Sequence, residues 1–210
     1  MARLTQVGFE LNSNTGGVEF TTGVSGGGAI AISSSIVRSG GYALRTSNSG
    51  IAGIARASVP FVTSAAAGPY YARAYVYIAT NPSAIHSVLL IWNAVTAYAQ
   101  IRLASNGTLE LWDSVGKIGS SSSALSTNTW YCIELKYRSN GSSTELDARL
   151  APDDGSTPVS FASTTSSTNP GTVTQVTVGG ITSSTGYDLY FDDLAVNDTS
   201  GSYQNSWCGQ

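Results

Sequence analysis

Charge is scarce in this sequence. Asp, Glu, Lys and Arg together make up 11% of its 210 residues, well below the ~25% of ordinary globular domains. Only Lys117 and Lys136 are lysines, the arginines are scattered, and the net charge is −3. Phosphate neutralisation dominates nucleic-acid affinity, so with no basic cluster nucleic acid is not an expected partner. Histidine is almost absent, with His86 alone. The two cysteines, Cys132 and Cys208, are too few for a disulfide scaffold, and no CxxC or Cys/His cluster suggests zinc. They could pair with each other, whereas two free thiols suit a product of the cytosol. No stretch approaches the ~20 apolar residues of a membrane span, so membrane insertion is not expected. The first residues lack the apolar run and cleavage pattern of a signal peptide. A helical apolar stripe and an internal repeat of ~40–50 residues are also missing, which excludes a propeller. No charged or proline-rich linker divides the chain, so residues 1–210 are expected to form one domain.

What is there is period-2 patterning. In Tyr70–Ile78, Ala72, Ala74, Val76 and Ile78 share one face, while Tyr71, Arg73, Tyr75 and Tyr77 share the other. Trp130–Tyr137 and Glu145–Leu150 alternate in the same way, as half-buried antiparallel strands do. Tyr187–Val196 does so too, except that its Phe191-Asp192-Asp193 step breaks the alternation. His86–Trp92 is a more continuous apolar run, as for a central strand covered on both sides. Asn106-Gly107 and Asn140-Gly141 fall between such runs and predict hairpins, because both residue types tolerate positive φ. Gly119 with Ser120–Ser123, and Ser163–Gly171, predict loops. Many short antiparallel strands in one domain predict an all-β fold, a two-sheet antiparallel jelly-roll sandwich or a related sandwich.

Several segments resemble, in order and spacing, the concanavalin A-like jelly rolls, which include laminin-G-like domains and legume lectins. They are Gly8-Phe9-Glu10, Gly40–Arg45, the hairpin Ile101–Leu111, Asn128–Leu135 and Leu189–Val196. The ending Asp193–Ser202 with Asn205-Ser-Trp207 looks like jelly-roll proteins encoded by tailed bacteriophages. That resemblance implies a non-enzymatic virion structural protein, made in the host cytoplasm, that decorates the capsid or serves the tail in an accessory or adhesion role. Its expected partners are other virion proteins or identical copies, and host-surface glycans. Residues 197–210 are then a tail that packs on the domain or on a neighbour, with Trp207 as an anchor or assembly contact. The alternative is a carbohydrate-binding lectin-type module; a polysaccharide hydrolase or lyase is less favoured.

The residues themselves weigh against catalysis. Retaining glycoside hydrolases need two carboxylates about 5–5.5 Å apart, and related jelly-roll enzymes carry Glu-x-Asp-x-Glu on one strand. Here the pattern is Glu145-Leu-Asp147-Ala-Arg149, and an arginine cannot donate a proton at neutral pH. His86, in Ala-Ile-His, has no recognisable partner for lyase chemistry and reads as a hydrogen-bonded edge residue. No cofactor is required. The early Phe9-Glu10 and the late Asp192-Asp193 pair also resemble a second β-sandwich group, the calcium-containing carbohydrate-binding modules. In both groups the terminal strands lie side by side, which implies a structural calcium with Glu10 near Asp192 or Asp193. Adjacent aspartates on a strand face opposite ways, so only one of that pair is expected to reach a shared site. By residue type, Tyr70, Tyr71, Trp92, Tyr98, Trp112 and Tyr203 are the candidate sugar platforms.

Overall fold

The computed structural model describes residues 3–13, 19–61, 68–167, 170–200, 202 and 206–208. Among them are thirteen strands: β1 (Arg3–Val7), β2 (Thr21–Ser33), β3 (Ala43–Pro60), β4 (Tyr70–Thr80), β5 (His86–Trp92), β6 (Ala97–Leu103), β7 (Leu109–Trp112), β8 (Lys117–Ile118), β9 (Trp130–Ser139), β10 (Thr144–Pro152), β11 (Val159–Ser167), β12 (Gln175–Gly179) and β13 (Tyr187–Asn197). The hydrogen-bonded order is β11-β10-β9-β4-β13-β3-β12-β5-β6-β7-β8, and every pairing is antiparallel. β3 belongs to both layers. Its first part pairs with β13 (Leu44 to Asn48) and its last with β12 (Arg56 to Pro60). The path therefore folds over at β3 into a first sheet, β11-β10-β9-β4-β13-β3, and a second, β3-β12-β5-β6-β7-β8. β2 runs along the other edge of β3 through both, and β1 pairs with the end of β13.

Glycine makes the bend. Gly26 faces Gly53 and Gly28 faces Asn48, so Ser49–Ala52 of β3 bow out with no partner on β2. The Asn48 amide ties the bow by donating to Ile51 O (2.6 Å) and accepting from Gly50 N (3.1 Å). A Cβ on Gly28 would lie 2.0 Å from the Ile54 carbonyl oxygen, and one on Gly53 would lie 2.4 Å from Ser25 O. Both approaches are backbone on backbone, which only glycine allows.

Between the layers lies one main apolar core. It takes the predicted faces, Ala72, Ala74, Val76 and Ile78 of β4 and Tyr131, Ile133, Leu135 and Tyr137 of β9, and meets them with Val88, Leu89, Ile91, Ile101 and Leu103 from the second sheet. β5 is buried at every position, in keeping with its continuous apolar run. Both Asn-Gly hairpins form, but only Gly107 (φ 82°) and Gly141 (φ 85°) take positive φ. The turns are longer than two residues: Ala104 N donates to Thr108 O, and Asn140 N donates to Ser143 O. Residues 119–123 form a loop, as read from the sequence, and the loop runs on to 126. Ser163–Ser167, expected as loop, instead ends the strand β11, which pairs only with β10. An edge strand with solvent on one side needs no apolar alternation, and Ser and Thr fit it well.

Candidate functional site

The irregular Asp-Asp step in β13 is a β-bulge. Asp192 faces Tyr75 and Ala195 faces Arg73, so β13 carries one extra residue there, and Asp193 sits at φ 48°. The bulge turns both aspartates toward one segment, contrary to the expectation that only one could reach it. Asp192 Oδ2 accepts Arg38 N and Ser39 N (3.1 and 3.2 Å), while Asp193 Oδ2 accepts Arg38 Nη1 (2.6 Å) and Ser39 Oγ (2.9 Å). Glu10 Oε2 accepts Gly41 N (2.9 Å) at the end of the same segment. The three suggested calcium ligands fasten the same 38–41 loop, Glu10 at Gly41 and the two aspartates at Arg38 and Ser39. Asp192 Oδ1 is engaged too, by Asp193 N (2.8 Å).

A hard cation wants six or more oxygens free to face it. Here the oxygens face N–H groups and a guanidinium, and no group of three acidic, His or Cys side chains among the described residues could hold a metal. The set does not fit calcium. Treating the purified protein with EGTA is expected to leave its melting temperature unchanged; a fall of several degrees would show instead that an ion holds this loop.

Outward-facing side chains of the first sheet form register rows across β3, β13, β4, β9 and β10. The uppermost is Arg45–Tyr190–Tyr77–Trp130, one residue from each of four adjacent strands. Tyr190 and Tyr77 pack edge to face at 5.8 Å, Tyr77 and Trp130 are tilted at 5.5 Å, and the Arg45 guanidinium lies 5.6 Å from the Tyr190 ring. Tyr77 and Trp130 are half-buried and Tyr190 is more fully covered. Arg45 holds Asp188 with two parallel bonds of 2.8 Å, and this fork holds its pKa above the usual arginine value. Beside it opens a cleft of about 270 Å³, lined by Arg45, Ser47, Asn48, Thr80, Gly186 and Asp188 among others.

The rows below are covered. Arg38 lies 3.4 Å over the Tyr75 ring and also pairs with Asp153 (3.0 Å), closing off Asp192, Tyr75 and Cys132. Farther along, Trp207 packs edge-on against Tyr71 at 5.1 Å with Arg149 3.8 Å over its ring. Ser206 O accepts Asn197 Nδ2 (3.0 Å), and Cys208 Sγ donates to Tyr71 O (3.2 Å). Trp207 is thus a contact on this sheet. Both cysteines are free, and burial pushes Cys132 up to about 12 and Cys208 to about 11. At neutral pH they are protonated and poor nucleophiles.

The sugar platforms suggested by residue type scatter. Tyr70 is 1% exposed and Trp92 is 4% exposed, so neither offers a face to a ligand. Trp92 donates its indole N–H to Thr177 Oγ1 (2.7 Å). Tyr71 is taken up by Trp207. Tyr98 packs on Tyr137 at 5.9 Å and against Gly171, where a Cβ would meet its ring. Trp112, half-buried on the second sheet, donates to Glu110 Oε2 (2.9 Å). Tyr203 lies outside the described residues. Tyr77, Trp130 and Tyr190 are not among those candidates: their outward alternation is legible in the sequence, but the adjacency of their three strands is not.

The residues weighed for catalysis are occupied. Asp147 is held by Arg149 (3.1 Å) and Ser160 (2.6 Å), and Glu145 by Lys136 (2.9 Å) and Arg138 (3.3 Å). His86 begins β5, paired with Leu103 of β6, and it is hydrogen-bonded as expected, but its other side is not an open edge, because Gly180 and Thr182 lie against it. Its ring is fully buried, stacked on Tyr187 at 4.0 Å, with Nδ1 bonded to Thr182 O (3.1 Å), and burial holds its pKa down to about 4.

The architecture is all-β, an antiparallel sandwich with the fold of the concanavalin A-like jelly rolls. No protein-family model matches the sequence, and no curated protein matches it. Among solved structures it is similar to the cellulose-induced protein Cip1 (14% identity, TM-score 0.63), covering 97% of this chain and 99% of that one. A carbohydrate esterase from the Shiga toxin-encoding bacteriophage phi24B aligns over 97% of this chain and 99% of its own, at 17% identity and TM-score 0.59. Lectin I-B4 from Griffonia simplicifolia aligns over 92% and 99%, at 12% identity and TM-score 0.57. Likeness at such identities speaks for the fold alone.

Proposed function

We propose that the protein is a non-catalytic carbohydrate-binding module whose ligand lies along Arg45, Tyr190, Tyr77 and Trp130. The observation that carries this reading is that row: aromatic rings from three adjacent strands, in register, ending at an arginine–aspartate fork and a polar cleft. Aromatic surface covers the apolar faces of a sugar, and the fork with the Ser47 hydroxyl beside it supplies directional partners for its hydroxyls. The absence of a catalytic role is supported by the ion pairs that occupy Glu145 and Asp147 and by the burial of His86.

A glycan array followed by calorimetry on the best ligand tests the reading. Tyr77→Ala and Trp130→Ala are each expected to weaken binding by more than about ten-fold, the loss typical of a central interface aromatic. Val95→Ala, in the exposed turn between β5 and β6, is expected to leave it unchanged. Binding that survives both substitutions, or no binding to any glycan, would refute the site.

We further infer that this module works in a bacteriophage virion, as a capsid decoration or a tail accessory or adhesion protein. There it would contact other virion proteins or identical copies and engage host-surface glycans. The likeness in fold to a phage-encoded protein over nearly the whole chain supports this. Mass spectrometry of purified particles is expected to find the protein, and particles without it would rule the role out.

A further inference from the structure

Most arginines here are already engaged. Arg38, Arg45, Arg138 and Arg149 form ion pairs, Arg3 bonds Asn197 and Gln6, and Arg73 reaches Cys208 O. Arg56 and Arg102 differ. Neither has a carboxylate within ion-pair distance among the described residues. Both lie on the outward face of the second sheet, Arg56 opposite Gly179, and Arg102 between Ser87 and Glu110.

Each guanidinium rests on an indole, Arg56 at 4.9 Å from Trp92 and Arg102 at 4.3 Å from Trp112. Each is also fixed from a second side. Arg56 lies against Gly23 of β2, where a Cβ would come within 2.8 Å of its Nε. Arg102 Nε donates to Gln100 Oε1 (3.1 Å), and the same oxygen accepts Ser87 Oγ (3.1 Å). Gln100 is 2% exposed and Ser87 0%, so a buried polar relay holds this arginine in place. The terminal nitrogens of both arginines make no hydrogen bond to a described residue. Burial lowers the pKa of each, whereas Arg38 and Arg45 are raised by their acid partners. The nearest acid in register, Glu110, is engaged by Lys117 (2.9 Å) and by Trp112. Two rigid, partly desolvated forks therefore have no ion-paired carboxylate, Glu110 acting on Arg102 only through space, which is the arrangement that recognises a planar or tetrahedral oxyanion.

Arg56 on β3 and Arg102 on β6 are three strand steps apart, roughly 14 Å at about 4.8 Å per step. We propose that Arg56 and Arg102 are two anion-recognition points of a second ligand face, opposite the aromatic row, and that their ligand is an acidic polysaccharide. Two cations so far apart, on a chain of net charge −3, cannot neutralise a run of phosphates. They suit a polymer whose anions are sparse, and the half-buried Trp112 beside Arg102 offers an apolar edge to a sugar ring. The site does not depend on the aromatic row, so either can fail alone.

Affinity electrophoresis through polygalacturonate (carboxylate) or dextran sulfate (sulfate ester), with neutral dextran as control, tests this at 50 mM NaCl. At least one acidic polymer is expected to retard the protein and dextran is not. That retardation should vanish at 500 mM NaCl. Arg56→Gln and Arg102→Gln should each weaken it at least five-fold at unchanged melting temperature. Arg138→Gln, an exposed arginine tied to Glu145, should retain it, as should Tyr77→Ala. Whichever polymer binds identifies the anion. No retardation by either polymer, equal loss in Arg138→Gln, or equal retardation by duplex DNA would overturn the proposal.

Discussion

Gly28→Val is expected to destabilise the protein by at least about 4 kcal/mol, the range reserved for substitutions that the backbone cannot absorb. The added Cβ would meet the Ile54 carbonyl oxygen at 2.0 Å and its carbon at 2.5 Å. Neither belongs to a side chain that could swing aside. Relief requires β2 to part from β3 at the bend, where one strand serves both sheets. Gly50 provides the control. It lies in the bow of the same bend with nothing within 4 Å of its would-be Cβ, so Gly50→Val is expected to cost under about 0.5 kcal/mol. Urea denaturation of both variants measures the contrast. A Gly28→Val protein within about 1 kcal/mol of the parent would mean that the bend is softer than its contacts imply.

Acid is expected to weaken the fold through His86 by about 3 kcal/mol. Unfolded, the imidazole titrates near 6.5; folded, burial holds it down to about 4. Between those values the unfolded chain binds a proton that the folded chain refuses. The contribution is therefore complete above about pH 6.5, falls as pH drops through the window, and stops falling below about 4. At 1.36 kcal/mol per pKa unit the loss is about 3 kcal/mol.

Asp192 works the other way over part of the same range. Burial pushes it up to about 6, so the folded chain gains its proton first and stability from this group grows as pH falls through 6. The raw pH curve mixes the two, and His86→Phe separates them. That variant keeps a ring against Tyr187 but cannot titrate. Its stability relative to the parent is expected to improve by about 3 kcal/mol between pH 7 and pH 4, and a gap that does not move with pH would contradict the assignment.

Local pattern carried much of the fold into view. The inward faces of β4, β9 and β10 follow from simple alternation, and the Phe191-Asp192-Asp193 irregularity marked a true bulge. Where residues lacked that alternation, the reading failed. The Ser/Thr segment ending β11 carries no strand signal, because an edge strand needs no apolar period. The placement of His86 depends on Gly180, Thr182 and Tyr187, some ninety to a hundred residues later in the chain. The aromatic row was hidden for the same reason. Tyr77, Trp130 and Tyr190 come from distant parts of the chain, and nothing in any one segment tells which strands will lie together. Residue type alone pointed to Tyr70 and Trp92, whose rings the fold buries.

β13 separates β3 from β4, although those two strands follow one another in the chain. A nascent polypeptide that has not yet reached Tyr187 can form the β4–β9 and β9–β10 ladders, yet it has nothing to put in the slot between β3 and β4. Domains dominated by such distant pairings fold slowly. Until the last strand arrives, two long strand edges stand open on the ribosome-bound chain, and an interrupted product would keep them open as templates for self-association.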